Sequence, residues 1–132
     1  MKYLFAVVLS VLPVMGLTHA MSPGFETEYS VSELTNKTYT LENSYDFPIT
    51  LAIEVFEKNW SPALGWAVDK ETFKMLPNSK KKATITFESI GVRKIIVCST
   101  LKGIGYEEEP PSIISRVCSR LIINGVSRER DN

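Results

Sequence analysis

Histidine is almost absent from this chain: of 132 residues only His19 is one, and it falls in a segment that reads as an export leader. Without it there is no histidine general base, no Ser-His-Asp or Cys-His nucleophile pair, and none of the common catalytic zinc sets. Glycine-rich phosphate loops, a G-x-S-x-G elbow and a calcium-loop pattern are also missing. An excess of either charge is missing too. The 15 basic and 15 acidic residues balance, and losing Lys2 with the leader leaves one acidic charge in surplus, too little to draw in nucleic acid or an anionic membrane. Cysteine is confined to Cys98 and Cys118, and two thiols without histidine fall short of the roughly four ligands of structural zinc. No metal or cofactor is therefore expected. Only carboxylate, lysine or tyrosine chemistry remains. Carboxylate pairs such as Glu26 with Glu28 or Glu54 with Glu57 have the residue types of a glycosidase acid and base, and they read as solvated strand and loop charges. The chain is expected to be a non-enzymatic protein that binds other proteins.

Long apolar runs are limited to one. Tyr3 to Leu17 follows Lys2 and leads into Thr18-His19-Ala20, the charged start, apolar middle and small-residue end of a secretory signal peptide. A spanning helix needs roughly 20 apolar residues; this run is shorter, contains Pro13, and is followed by nothing basic. Cleavage after Ala20 is expected, which makes the protein periplasmic or secreted with no membrane span afterwards. Residues 21–126 then form one domain and the polar stretch 127–132 a flexible tail. In an oxidising compartment Cys98 and Cys118 are expected to pair.

After the leader, helical periodicity gives way to two-residue alternation. Residues 38–43 alternate, and Asn43 to Pro48 reads as a turn. In the strongest strand, Ile49, Leu51, Ile53 and Val55 share one face, with Thr50, Ala52, Glu54 and Lys58 largely on the other. Trp60 and Trp66 sit in a Pro- and Gly-containing stretch before a short strand. Phe73, Met75 and Leu76 precede the Pro77-Asn78-Ser79 turn, and Ala83, Ile85 and Phe87 alternate with Thr84, Thr86 and Glu88. Two last strands, Val92 to Leu101 and Ile113 to Asn124, are expected to form a hairpin with a long loop. Cys98 opposite Cys118 places Ile96 opposite Arg120 and Thr100 opposite Arg116. In this phase Ile95, Val97 and Leu101 oppose Cys98 in facing, so the bridge belongs to the polar, solvent-facing side. About seven short antiparallel strands with turns between them indicate an all-β, immunoglobulin-like sandwich.

The segments Tyr29-Ser-Val-Ser, Thr40-Leu-Glu-Asn-Ser-Tyr-Asp-Phe-Pro-Ile-Thr-Leu-Ala-Ile-Glu-Val, Phe73-Lys-Met-Leu-Pro-Asn and Thr84-Ile-Thr-Phe together resemble the N-terminal domain of periplasmic pilus-assembly chaperones, the PapD-like fold. Nematode major sperm protein shares part of this pattern. The resemblance covers roughly residues 29 to 101 and implies a sandwich that assists assembly of a pilus or secretion apparatus by pairing strand edges. Two departures are expected to matter. The chain ends before a second immunoglobulin-like domain, making it a single-domain variant. Met21 to Leu34 holds no basic residue, so the arginine with which such chaperones anchor a subunit's terminal carboxylate has no counterpart, and no site residue is carried over.

The last strand is the candidate edge, with Ile113, Val117, Leu121 and Ile123 as partner-binding residues; the alternative is that these four fill the domain's own core. Lys94, Lys102, Arg116 and Arg120 form a possible basic face. That face, or the Tyr106-Glu-Glu-Glu-Pro-Pro loop, would suit a permanent structural subunit of a cell-envelope complex. Asn36-Lys-Thr and Asn59-Trp-Ser fit the glycosylation rule and leave room for a secreted eukaryotic recognition domain.

Overall fold

The computed structural model describes residues 19–126, which form nine β-strands and no helix. In chain order these are β1 (His19–Ser22), β2 (Phe25–Tyr29), β3 (Leu34–Asn43), β4 (Ile49–Glu57), β5 (Trp66–Val68), β6 (Thr72–Met75), β7 (Ser79–Glu88), β8 (Val92–Ile104) and β9 (Arg116–Asn124). They build two stacked sheets, β1-β3-β7-β5 and β2-β9-β8-β4-β6. This is an immunoglobulin-like sandwich. The count exceeds the expectation of about seven by the first two strands: β1 begins inside the segment read as a leader, and at four and five residues β1 and β2 are too short for a period of two to declare itself.

The alternating residues meet between the sheets. Ile49, Leu51, Ile53 and Val55 from β4 pack with Ala83, Ile85 and Phe87 from β7, and with Ile95, Val97, Leu101, Leu121 and Ile123 from β8 and β9. Tyr39 and Leu41 complete the layer from β3. Met75 is inward and Leu76, one residue on, is exposed, because successive side chains of an extended chain point oppositely.

Asn43 explains why the stretch that reads as a turn is a fixed one. Its buried amide donates to the carbonyls of Phe47 at 3.0 Å and Leu76 at 3.1 Å, and its Oδ1 accepts the Tyr45 N–H at 2.9 Å. Asn78 N–H in turn donates to the Tyr45 carbonyl at 3.2 Å. One side chain thus ties the β3–β4 turn to the β6–β7 turn and satisfies carbonyls that would otherwise be buried without partners.

The first two strands belong to different sheets. β1 runs antiparallel to β3, and β2 runs parallel to β9. The switch falls at Pro23, which has no N–H to continue a ladder. Expected cleavage after Ala20 would pass through β1, taking His19 and Ala20 and leaving Met21 and Ser22. The remainder of the leader, residues 1–18, and the tail, 127–132, lie outside the described residues.

Candidate functional site

The final hairpin carries the register read from its cysteines. Cys98 and Cys118 are bonded, with Ile96 opposite Arg120 and Thr100 opposite Arg116. The bridge lies on the outer face, away from the core, but it is not open to solvent: Cys98 is 0% exposed and Cys118 half-buried. β8 is flanked by β4 and β9, so side chains on both neighbours close over its outer face.

The expected edge needs correction. β9 begins at Arg116, not at Ile113, since Pro110 and Pro111 withhold N–H groups from a ladder and the chain instead turns back to pair Glu109 with Ile104. Ile113 and Ile114 stand outside the strand, 80% and 76% exposed. Leu121 and Ile123 are fully buried in the core and Val117 packs against it. Of the four residues assigned to a partner, three therefore serve this domain's own interior.

β9 is also not an edge along its whole length, because β2 covers Arg120 to Asn124. Arg120 N–H donates to the Gly24 carbonyl at 3.1 Å, and the Asn124 carbonyl accepts from Ser30 N–H at 3.0 Å. The even-numbered residues thus turn their backbone groups away from β8. By the same alternation Arg116 and Cys118 present theirs on that side, where no strand lies opposite among the described residues. A short open edge, preceded by two exposed isoleucines, remains.

The four residues of the basic face divide into two groups. Lys102 and Arg116 hold Glu54 at 3.1 and 3.3 Å, and the Arg116 guanidinium lies 5.2 Å from the Phe56 ring centre. Burial pushes the Glu54 carboxyl upward, but hydrogen bonding and charge from Lys102, the Thr100 hydroxyl and the charge of Arg116 outweigh it and hold it below its ordinary value. Lys94 and Arg120 instead line a groove on the same outer face with Lys58, Phe25, Trp60, Ile96 and Ile122, enclosing about 260 Å³.

The carboxylate pairs are not brought together for acid-base work. Glu57 pairs with Arg93 while Glu54 faces Lys102 and Arg116, on opposite faces of β4 as odd and even residues must be. Glu26 and Glu28 are not simply solvated: both hold the Nζ of Lys37. Burial opposes the Lys37 charge, and the hydrogen bonds and charges of the two glutamates override it, raising the ammonium above its ordinary value. Nothing in the sequence marks Lys37 as buried, since its partners come from β2, in the other sheet. Arg93 was equally unmarked; it reaches Glu57 and the carbonyls of Leu64 at 2.7 Å and Glu88 at 3.1 Å, joining the sheets at one end. His19 is buried as well, its Nε2 3.1 Å from the Ser99 carbonyl. Desolvation lowers its affinity for a proton, and the bond to Ser99 partly restores it.

No protein-family model matches the chain, and no curated protein matches it in sequence. Solved structures do match. A structure of the Salmonella enterica SafA pilin in complex with the SafB chaperone superposes with a TM-score of 0.66 at 16% identity, over 83% of this chain and 55% of that one. The E. coli chaperone DraB gives 0.63 at 16% identity, over 81% and 54%. A C. elegans MSP family member gives 0.59 at 13% identity, over 78% and 94%. The chain spans about half the length of the chaperones it matches and most of the MSP domain. Two sheets in this order, with the first two strands placed in different sheets, and these superpositions give one conclusion: the chain has the fold of the N-terminal domain of PapD-like pilus chaperones.

Proposed function

We propose that this protein is a non-enzymatic, periplasmic or secreted binding module that takes a strand of a protein partner, a pilus or secretion-apparatus subunit, along the open edge of β9. The observation that carries the reading is the stretch from Arg116 to Cys118, which no strand among the described residues covers, with two outward backbone positions and Ile113 and Ile114 exposed beside it. Strand addition needs unpaired N–H and C=O groups for affinity and neighbouring apolar side chains for specificity, and both occur together here. The PapD-like fold supports a protein-binding role, and the SafB match is to a structure in which a chaperone is in complex with a pilin. The leader-like N-terminus supports export. The MSP match, which covers nearly all of its chain, supports a second form of the reading, in which a single domain works alone as a recognition module.

The test separates backbone from side chain at one position. Arg116→Pro removes an outward N–H, whereas Arg116→Ala removes only the guanidinium. With folding checked by circular dichroism, capture of envelope subunits from the host should fall about tenfold in Arg116→Pro, the equivalent of one lost hydrogen bond of about 1.4 kcal/mol. Arg116→Ala should capture as the parent does. Full capture by a folded Arg116→Pro protein would end the edge mechanism.

A further inference from the structure

The groove on the outer face has no lining residue in common with the open edge and suits a different ligand. It is floored by Ile96 and Ile122, flanked by Phe25 and Trp60, and rimmed by Lys58, Lys94 and Arg120. Phe25 is 62% and Trp60 54% exposed, a large apolar area to leave in water on one side of a small domain. Trp60 is held there by a tight turn. Its N–H donates to the Glu57 carbonyl at 2.9 Å, its backbone lies at φ 67°, and its ring leans on Phe56 with centres 5.6 Å apart. A bulky residue in the left-handed region is disfavoured and persists where its surroundings hold it, so the turn presents the indole at a cost to the backbone.

Charge names the occupant. Among the described residues Lys58, Lys94 and Arg120 form no ion pair. Lys70, Lys80, Lys81 and Lys82 form none either, but the first three line one groove beside exposed aromatic rings. Three cations around an apolar floor call for an anion with an apolar body. Size narrows it further, since a cavity of about 150 Å³ takes benzene and drug-sized ligands need about 300 Å³ or more. At about 260 Å³ the groove has room for one or two fused rings and an acid group. Two aromatic side chains at the rim favour a flat ring over a flexible chain.

We propose that this groove is a binding site for a small aromatic carboxylate, its rings against Phe25, Trp60 and Ile96 and its carboxylate toward Lys58, Lys94 and Arg120. The probe is 2-naphthoate, titrated into the whole exported chain by ¹⁵N NMR, beside the neutral isostere 2-naphthalenemethanol and beside acetate. Naphthoate should bind at submillimolar concentration, shifting the amides of Phe25, Trp60, Ile96 and Ile122. The neutral isostere and acetate should each bind at least tenfold more weakly. Lys94→Gln and Arg120→Gln should each weaken naphthoate several-fold, and Trp60→Ala more. Lys102→Gln, on the same face but paired to Glu54, should leave affinity unchanged. Equal binding of naphthoate and its neutral isostere would overturn the proposal, as would an equal loss in Lys102→Gln. Silence of the groove amides up to millimolar naphthoate would overturn it too, and protection of the same amides in a captured-partner complex would assign the groove to that protein instead. Lys94→Gln should capture the partner as the parent does while losing naphthoate. Arg116→Pro, which reaches the groove only through the Phe56 ring under Trp60, should lose capture while keeping most of its naphthoate affinity, so failure of the edge mechanism and failure of this site are distinguishable.

Discussion

Two charge clusters in this molecule mirror each other in composition and differ in setting. Lys37 is one cation between two carboxylates, Glu26 and Glu28, where β2 and β3 meet from opposite sheets. Glu54 is one carboxylate between two cations, Lys102 and Arg116, on the outer face of a single sheet. The Lys37 side chain is 11% exposed and that of Glu54 25%, with Lys102 at 53%. In both, burial opposes the central charge and the partners prevail. The difference lies in what is left when the centre is removed. Of the Glu54 partners, Lys102 is half exposed and recovers its hydration, and Arg116, a third exposed, still lies against the Phe56 ring. Glu26 and Glu28, by contrast, are both about two-thirds covered and are left as two like charges with no cation between them. A charge cluster between sheets is part of the fold, and one on a sheet's outer face mostly tunes the surface.

Substitutions can break this comparison. The largest effect is expected from a charge with no partner at all. Ile53 points into the apolar layer between the sheets, where its buried cross-strand neighbour Ser99 offers a hydroxyl but no cation; it is one residue from Glu54 but on the opposite face. Ile53→Asp should cost on the order of 4 kcal/mol or more, a large share of the roughly 5–15 kcal/mol of a typical domain, and the cooperative urea transition should be lost. A midpoint like the parent's would show that the two faces of β4 are inverted.

Lys37→Met comes next, keeping the aliphatic stem and removing the charge. Partial exposure of the glutamates screens their repulsion, so a loss of about 2 kcal/mol is expected, below the 3–5 kcal/mol of a fully buried broken pair. The folded-state value of Lys37 is raised above 10.5, so its stabilisation is full below that pH and fades as pH rises through the higher folded value. Thermal melts of both proteins should therefore differ at neutral pH and converge in strong base. A constant difference across that range would place the effect in packing rather than charge.

Glu54→Gln should be the mildest, about 0.5 kcal/mol, because Lys102 is half exposed and Arg116 a third exposed, with Phe56 beneath it. Here the folded value is lowered below 4.5. The advantage of the parent is thus present above 4.5 and disappears as pH falls through the lower folded value. Urea midpoints taken across the acid range check the sign. A loss as great as that of Lys37→Met would show that burial is not what separates the clusters.

The pattern of residues foretold which side chains of β4, β7 and β8 face inward, and a pair of cysteines foretold the register of the last hairpin, because strand geometry alternates strictly and a disulfide constrains which residues lie opposite. The same alternation misled at Ile113, which has the right phase but follows two prolines that keep it out of any ladder. The site was less legible than the fold. Val117, Leu121 and Ile123 read equally well as a partner's groove or as core, since phase tells that a residue faces an apolar layer and not whose layer it is.

What the sequence by itself determined is the class, the inward faces and the disulfide register, all of which follow from local chain geometry. Tertiary structure alone decided that β2 lies beside the end of β9, which closes half of the expected edge and leaves Arg116 and Cys118 open. It also decided that Lys37 meets Glu26 and Glu28, and that Lys58, Lys94 and Arg120 converge on one groove. Strand neighbours are chosen by backbone hydrogen bonds that every residue but proline can make, so the choice leaves almost no mark on side-chain pattern. It is settled only when the whole core finds its one arrangement.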